Sequence, residues 1–193
     1  SYPGFSTDVG PGNTMMDAYM QKHLGYACDE NGVLAASGTI VQKLLKELMD
    51  HPFFDGGFPK TIGPELFNLD YLEKAIARVG GSYSHADIMA TLNRFSAEGI
   101  LLALQKSVPP NQPWVVYGSG GGVHNPVLME HLQMAFPSIA FRHTGELGVP
   151  ADAKEAVLFA LLANECVAGE SLGKALFKDG MPDISMGKIS LPG

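Results

Sequence analysis

Three stretches of this sequence carry residue types that could do chemistry. The first is Asp8-Val9-Gly10-Pro11-Gly12-Asn13, followed at once by Thr14-Met15-Met16-Asp17-Ala18. Two glycines flanking a proline force a tight turn and let backbone pass close to a ligand. Asn13 is a good N-cap residue, and Thr14 to Leu24 reads as a helix closed by Gly25. A carboxylate on a glycine turn that opens a helix faces free N–H groups and the positive end of a helix dipole. Such a place suits phosphate, or an acid that must stay ionised.

The second stretch is Gly118-Ser119-Gly120-Gly121-Gly122-Val123-His124-Asn125-Pro126. It follows the apolar run Trp114 to Tyr117, which reads as a buried strand. It precedes a helix with Asn125 as cap and Pro126 at the first position. Glycine loops between a strand's carboxyl end and a helix are where α/β proteins hold nucleotides. No Gly-Lys-Ser/Thr follows, so this is not a Walker loop. Gly118-Ser119-Gly120 matches part of a dinucleotide fingerprint, with Val123 where its last small residue belongs. The third stretch is Asp152-Ala153-Lys154-Glu155. Its spacing predicts a capping box, Asp152 as cap and Glu155 reaching back, for a helix from Ala153 to Val167. Glu155 would still stand at a helix N-terminus, where a carboxylate can face a ligand. Lys60-Thr61 adds possible donors to an anion.

The rest of the chain must position these stretches. Its 193 residues suffice for one well-buried domain or two small lobes, with 46% hydrophobic and 17% charged residues. A net charge of −7 argues against non-specific binding to nucleic acid or anionic membrane. No apolar run is long enough to span a bilayer, and no secretory leader is evident. Cys28 and Cys166 lie far apart outside any metal-ligand spacing, and the six histidines form no zinc pattern. Reduced thiols in a cytoplasmic protein are the simplest expectation.

Apolar residues at Ile40, Leu44, Leu45 and Leu48, then at Leu69, Leu72, Ile76 and Val79, recur at helical spacing. Asn68 caps the second of these helices, and Ser84 with Asp87 starts a long third one through Leu104. Gly99 within it marks close packing or a kink. His51-Pro52 stops the first, and Phe53 to Pro64 reads as loop. Met15, Met16 and Met20 are expected in the core. Strand and helix alternate only after Pro113, with a second strand from Ser138 to His143. The helix after Asp152 is apolar enough to expect burial on most sides, and Gly169 to Gly193 reads as an irregular arm. The whole is expected to be α/β with a helical insertion.

With these stretches in order, the sequence resembles the C-terminal half of anhydro-N-acetylmuramic acid kinases. These enzymes belong to the actin/hexokinase/Hsp70-like superfamily. The matching residues are Asp8 to Asn13 with Asp17-Ala18, Pro59-Lys60 to Phe67-Asn68, Asp87-Ile88 with Ala90-Thr91-Leu92, Gly120 to Pro126, and Lys154-Glu155-Ala156 with Phe159-Ala160. Gly187-Lys188-Ile189 and Pro192-Gly193 are similar to the family's C-terminus. Val9 departs from it, standing where a Thr is usual.

The resemblance implies a ribonuclease-H-like (actin-like ATPase) lobe over residues 1–193. Within it, 1–38 would carry the catalytic and phosphate loop, 39–108 the helical insertion, and 109–193 the nucleotide-binding part. It implies ATP with Mg²⁺, opening of a 1,6-anhydro amino sugar by water and phosphorylation of its O6, in a homodimer. Asp8 matches the general base and borders the sugar, and Glu155 matches a second acid. Gly10, Gly12 and Asn13 match a phosphate loop, and Gly120, Gly121, Gly122 and Asn125 the adenosine motif. The first phosphate hairpin of the superfamily belongs to an N-terminal lobe this sequence lacks. The chain is therefore expected to be a fragment, inactive alone. Two other readings stay open on the residues: an NADP-binding oxidoreductase domain using Gly118-Ser119-Gly120 and Arg142, and a dimerisation fragment built on Ile40 to Ser107. The kinase reading requires Asp8 and the triple glycine to border one groove.

Overall fold

A computed structural model describes residues 6–63, 65–108 and 113–168. The chain is a mixed α/β structure in which one long helix supports everything else. That helix, α6 (His85–Ser107), starts where Ser84 Oγ accepts the Asp87 N–H at 3.1 Å. The cap does double duty. Asp87 also accepts the Thr39 N–H at 2.7 Å, and Thr91 Oγ1 accepts the Val41 N–H at 2.9 Å. These bonds pin the entry to α3 (Gln42–Met49) against α6. Hydrogen bonds from the Thr39 N–H and from Ser84 hold the Asp87 carboxyl below its ordinary pKa.

Helix α1 (Thr14–Leu24) ends at Gly25, as expected, in a left-handed conformation. The Tyr26–Gly38 stretch holds a 3-10 turn and a short helix, α2 (Val33–Ser37), which the sequence reading missed. Asp29 makes that helix by accepting the Leu34 and Ala35 N–H groups at 2.8 and 2.9 Å. Pro52 stops α3 and also opens a four-residue helix, α4 (Pro52–Asp55), inside what reads as loop. In α5 (Leu69–Val79), Asn68 accepts the Tyr71 N–H at 3.0 Å, as its capping role predicts.

The faces expected from helical spacing meet in one core. Leu44, Leu48, Met89 and Phe95 have no exposed surface, and Met15, Met16 and Met20 are buried with them. Phe54, Phe67, Tyr71 and Phe95 pack ring on ring at 5.3–6.5 Å. The Tyr71 hydroxyl donates to Leu48 O at 2.7 Å, and burial, helped by nearby Glu47, pushes its pKa up to about 12. A smaller cluster joins Ala97 and Leu101 of α6 to Leu128 and Leu132 of α7 (Pro126–Ala135).

The strands are β1 (Trp114–Gly118) and β2 (Ile139–His143), paired in parallel with Trp114 opposite Ile139 and Gly118 opposite His143. Helix α7 makes the crossover between them. The run Trp114–Tyr117 is not a buried strand. Val115 and Tyr117 stand 45% and 39% exposed, because alternate side chains point to an open face. Helix α8 (Lys154–Ala168) departs further from expectation: Leu158, Phe159, Leu161 and Val167 are all half-exposed or more. Its apolar density signals surface that no described element covers. The expected arm at Gly169–Gly193 lies outside the described residues. No described helix is long and apolar enough to cross a membrane.

Candidate active site

Asp8 is held from both ends. Its N–H donates to Lys60 O at 2.8 Å, and its Oδ2 accepts the Ile62 N–H at 2.8 Å. Thr7 adds a second pair with Lys60, its Oγ1 accepting the Lys60 N–H at 2.9 Å. The half-buried carboxylate is thus fixed through one oxygen, and Oδ1 makes no hydrogen bond among the described residues. It lines a cavity of about 200 Å³ with Gly10, Pro11, Thr14, Ile62, Gly63 and Phe67. Lys60 does not enter that cavity. Its ammonium donates to Phe53 O and lies 4.0 Å from the Phe53 ring centre. Burial, and then the charge of Lys106, push its pKa down.

After Asp8 the backbone turns through Gly12, whose φ of +58° is left-handed and suits glycine. Thr14 closes the turn, its Oγ1 donating to Pro11 O at 2.7 Å. Asn13 does not cap α1. It has helical backbone angles and no capping bond. The side chain turns instead toward the triple-glycine loop: Cβ atoms at Gly121 and Gly122 would lie 3.6 Å from its Nδ2 and Oδ1. Its Oδ1 is buried without a partner among the described residues. An orphaned amide oxygen beside bare glycine backbone is a place where a ligand can complete the hydrogen bonding.

That place is a second cavity, of about 430 Å³, walled by Asn13, Met16, Asp17, Cys28, Asp29, Glu30, Asn31, Gly121, His124 and Asn125. Burial pushes the Asp17 carboxyl up from its ordinary pKa. Asn125 caps α7 as expected, accepting the Leu128 N–H at 3.2 Å. The loop is anchored by the Gly120 N–H donating to Ala151 O at 2.9 Å. Asp8 and the triple glycine therefore do not share one cavity. They lie on two neighbouring ones that meet at the 10–14 turn: Gly10, Pro11 and Thr14 wall the first, Asn13 the second.

The capping box at Asp152 does not form. Asp152 sits in a 3-10 turn, Ala151–Ala153, and its carboxylate meets His124 Nε2 at 3.0 Å. The helix begins one residue later than expected, and Glu155 is exposed at its second position, on neither cavity. Arg142 pairs with Glu146 at 3.3 Å and does not line the second cavity. Val123 Cγ1 would stand 2.5 Å from a Cβ at Gly118, so it fills the space over that glycine.

The Asp8 turn and a hollow of about 430 Å³ lined in part by Gly121 thus adjoin at residues 10–14. The family model for anhydro-N-acetylmuramic acid kinase matches residues 2–174. The chain belongs to this family. It is 48% identical over 191 residues to an anhydro-N-acetylmuramic acid kinase of Pseudoalteromonas atlantica, covering 97% of this chain and 48% of that protein. The corresponding protein of Pseudoalteromonas translucida is 51% identical over 189 residues, 96% of this chain and 47% of its own. A kinase of the same name from Neisseria meningitidis is 38% identical over 162 residues, 83% of this chain and 43% of its own. The chain spans about half the length of these curated relatives.

Of the residues expected at the site, Asp8 and Gly10 wall the first cavity and Asn13, Gly121 and Asn125 the second, while Gly12, Gly120, Gly122 and Glu155 wall neither; other wall residues were given no role. Asp17 and Thr14 were visible as polar positions in the first turn of α1. Gly63, Phe67 and the 28–31 segment carry no local signal. They reach the cavities only because chain distant in sequence returns there.

Proposed function

We propose that this chain is the C-terminal lobe of a two-lobe, actin-like sugar kinase. Its whole protein would use ATP and Mg²⁺ to open 1,6-anhydro-N-acetylmuramic acid with water and phosphorylate O6, giving N-acetylmuramic acid 6-phosphate and ADP. The single groove expected for Asp8 and the triple glycine is not formed by the described residues; the observation that supports the reading in its place is that the Asp8 cavity and the cavity lined by Gly121 adjoin across the 10–14 turn. Family membership supports it. The lobe would be ribonuclease-H-like, with 39–108 inserted as a helical block, and the protein a cytoplasmic homodimer serving cell-wall recycling.

In this reading Asp8 is the general base. Its Oδ2 stays on the Ile62 N–H, and Oδ1 takes a proton from the water that attacks the anomeric carbon. The C1–O6 bond breaks, and O6 accepts the terminal phosphoryl group as ADP leaves. Gly10, Gly12 and Asn13 line the phosphates' path. Gly120, Gly121, Gly122 and Asn125 would hold the nucleoside end; of these Gly121 and Asn125 line the second cavity, which has room for it. With Asp8 taken as the base and no cluster of three or more metal-ligating side chains among the described residues, Mg²⁺ would be held chiefly through the phosphates of ATP. When bound, the ion would neutralise charge developing on the transferred group. Glu155, exposed at the start of α8 and on neither described cavity, is proposed as a second acid on the resemblance of Lys154-Glu155-Ala156 alone.

Three acids on the second cavity wall, and Arg142 engaged elsewhere, disfavour an NADP 2′-phosphate there. The test is turnover by the whole protein with 1,6-anhydro-N-acetylmuramic acid, ATP and Mg²⁺. Stoichiometric ADP and 6-phosphorylated sugar are expected, undiminished by NADPH. The 193-residue chain alone is expected to show negligible turnover. Absence of phosphorylated sugar from the whole protein would refute the activity, and near-equal rates from the short chain would refute the two-lobe reading.

A further inference from the structure

Helix α6 lines neither cavity, yet it touches both loops that do. Three of its residues, spaced three apart, make those contacts. Asn93 Nδ2 donates to Asn125 Oδ1 at 3.1 Å, at the residue where the triple-glycine loop becomes α7. Ser96 Oγ donates to Gly12 O at 2.5 Å, in the turn that follows Asp8. Gly99 lies flat against the start of that turn: a Cβ there would be 2.4 Å from Val9 O and 3.5 Å from Gly10 Cα. Residues at i, i+3 and i+6 form one oblique ridge of a helix, here about 9 Å long. One rigid element therefore meets the nucleotide loop, the far end of the phosphate turn and the residue beside Asp8, in that order.

We infer that the Asn93–Ser96–Gly99 ridge is a positioning device, setting the distance between the nucleotide loop and the Asp8 turn. The inference rests on the proposed kinase reading. Its basis is that Asn93 does not repay its burial, while Ser96 directs its one hydrogen bond to the turn. Asn93 has no exposed surface and its Oδ1 has no partner among the described residues, while Ser96 is 2% exposed. An orphaned buried oxygen costs stability, and a leucine would fit the apolar interior without it. Asn125 Oδ1 does not depend on Asn93 for satisfaction, because the Leu128 N–H also donates to it. What Asn93 adds is a fixed direction for the Asn125 amide. Ser96 does the same for the Gly12 carbonyl, to which no backbone N–H is bonded outside the regular helices and strands. Gly99 gives the turn its closeness, which any side chain would destroy.

Asn93→Leu in the whole protein separates this role from a structural one. A positioning residue predicts an unchanged or higher melting temperature and an ATP KM raised about tenfold, the cost of one misdirected hydrogen bond. The sugar KM should stay within about twofold. Ser96→Ala and Gly99→Ala act at the other end of the ridge. They are expected to lower kcat, Gly99→Ala by about a hundredfold because backbone beside Asp8 must move, with the ATP KM changed less than in Asn93→Leu. An Asn93→Leu protein with wild-type ATP KM overturns the inference. So does a variant whose KM rises while kcat and melting temperature both fall. If Asn93→Leu does not fold, burial of Asn93 was structural and the inference fails for it, and the Ser96→Ala split of kcat from KM decides the remainder. Wild-type protein without turnover would instead refute the kinase reading, whatever the variants do.

Discussion

The helical part of this molecule and its strand-bearing part are finished to different degrees. Between Thr14 and Ser107 the apolar faces of α1, α3, α5 and α6 close on one another, and Leu44, Leu48, Met89 and Phe95 see no solvent. Between Trp114 and Ala168 two paired strands and α8 leave Val115, Tyr117, Leu158 and Phe159 in the open. A two-stranded sheet has too few neighbours to be stable by itself. Here α7 attaches one side of it to α6 through Leu128 and Leu132. The difference teaches where each part gets its order: the helical part from its own core, the strand part largely through α7, which meets α6 and the turn at Gly32. The candidate site lies along the seam between them. The Asp8 cavity belongs to the helical part, and the triple-glycine loop to the other.

This contrast can be broken or sharpened by substitution in the 193-residue chain. Phe95→Ala should cost most, about 3–5 kcal/mol in urea unfolding, since it empties the centre of the aromatic cluster. Gly32→Ala should come next. Its φ is +65°, and a Cβ would fall 2.6 Å from Asn125 Oδ1, so both strain and the seam are tested. A loss of about 1–3 kcal/mol is expected for the backbone conformation alone. A loss confined to the strand-bearing half, seen by amide exchange, would show that the seam carries the effect.

A weaker effect concerns pH. His131 on α7 stands 3.4 Å from Arg94 of α6, and burial, then that guanidinium, push its pKa below the ordinary 6.5, with Glu130 and Glu98 pulling the other way. The unfolded chain therefore takes up this proton at a higher pH than the folded one. The contribution to stability is full above pH about 6.5 and declines as pH falls through the lowered folded value. His131→Asn should flatten that part of the slope, measured by urea unfolding at pH about 7.5 and 5.5. An unchanged slope would place the α6–α7 contact elsewhere. Smallest of all, Phe159→Ser should alter stability by under about 0.5 kcal/mol, because its ring is 68% exposed. A large loss would mean that α8 is packed after all, and the contrast would disappear.

Legibility in the sequence follows the same division. Helical periods at 40–48 and 69–79 gave the core faces because each helix has one buried side. Caps at Asn68, Ser84 and Asn125 form as their side chains predict. Two others fail for different reasons. Asn13 faces the glycine loop in place of its own helix, and Asp152 pairs with His124. Apolar density misled at β1 and α8, since a run of apolar residues states that surface must be covered without saying by what. Gly99 was legible as close packing, but its contact, Val9, was not. Asn93 and Ser96 stood as polar interruptions of an apolar helix, a signal that could have been used.

The central claim is that the Asp8 carboxylate accepts a proton in the reaction. The most direct measurement is the kcat of the whole protein carrying Asp8→Asn, with ATP binding followed in parallel. The amide keeps an oxygen for the Ile62 N–H, so the turn holds its shape while the base is lost. The account predicts kcat reduced by at least about a hundredfold with ATP affinity within about threefold of wild type. A kcat within about tenfold of wild type, with ATP still bound, would contradict it.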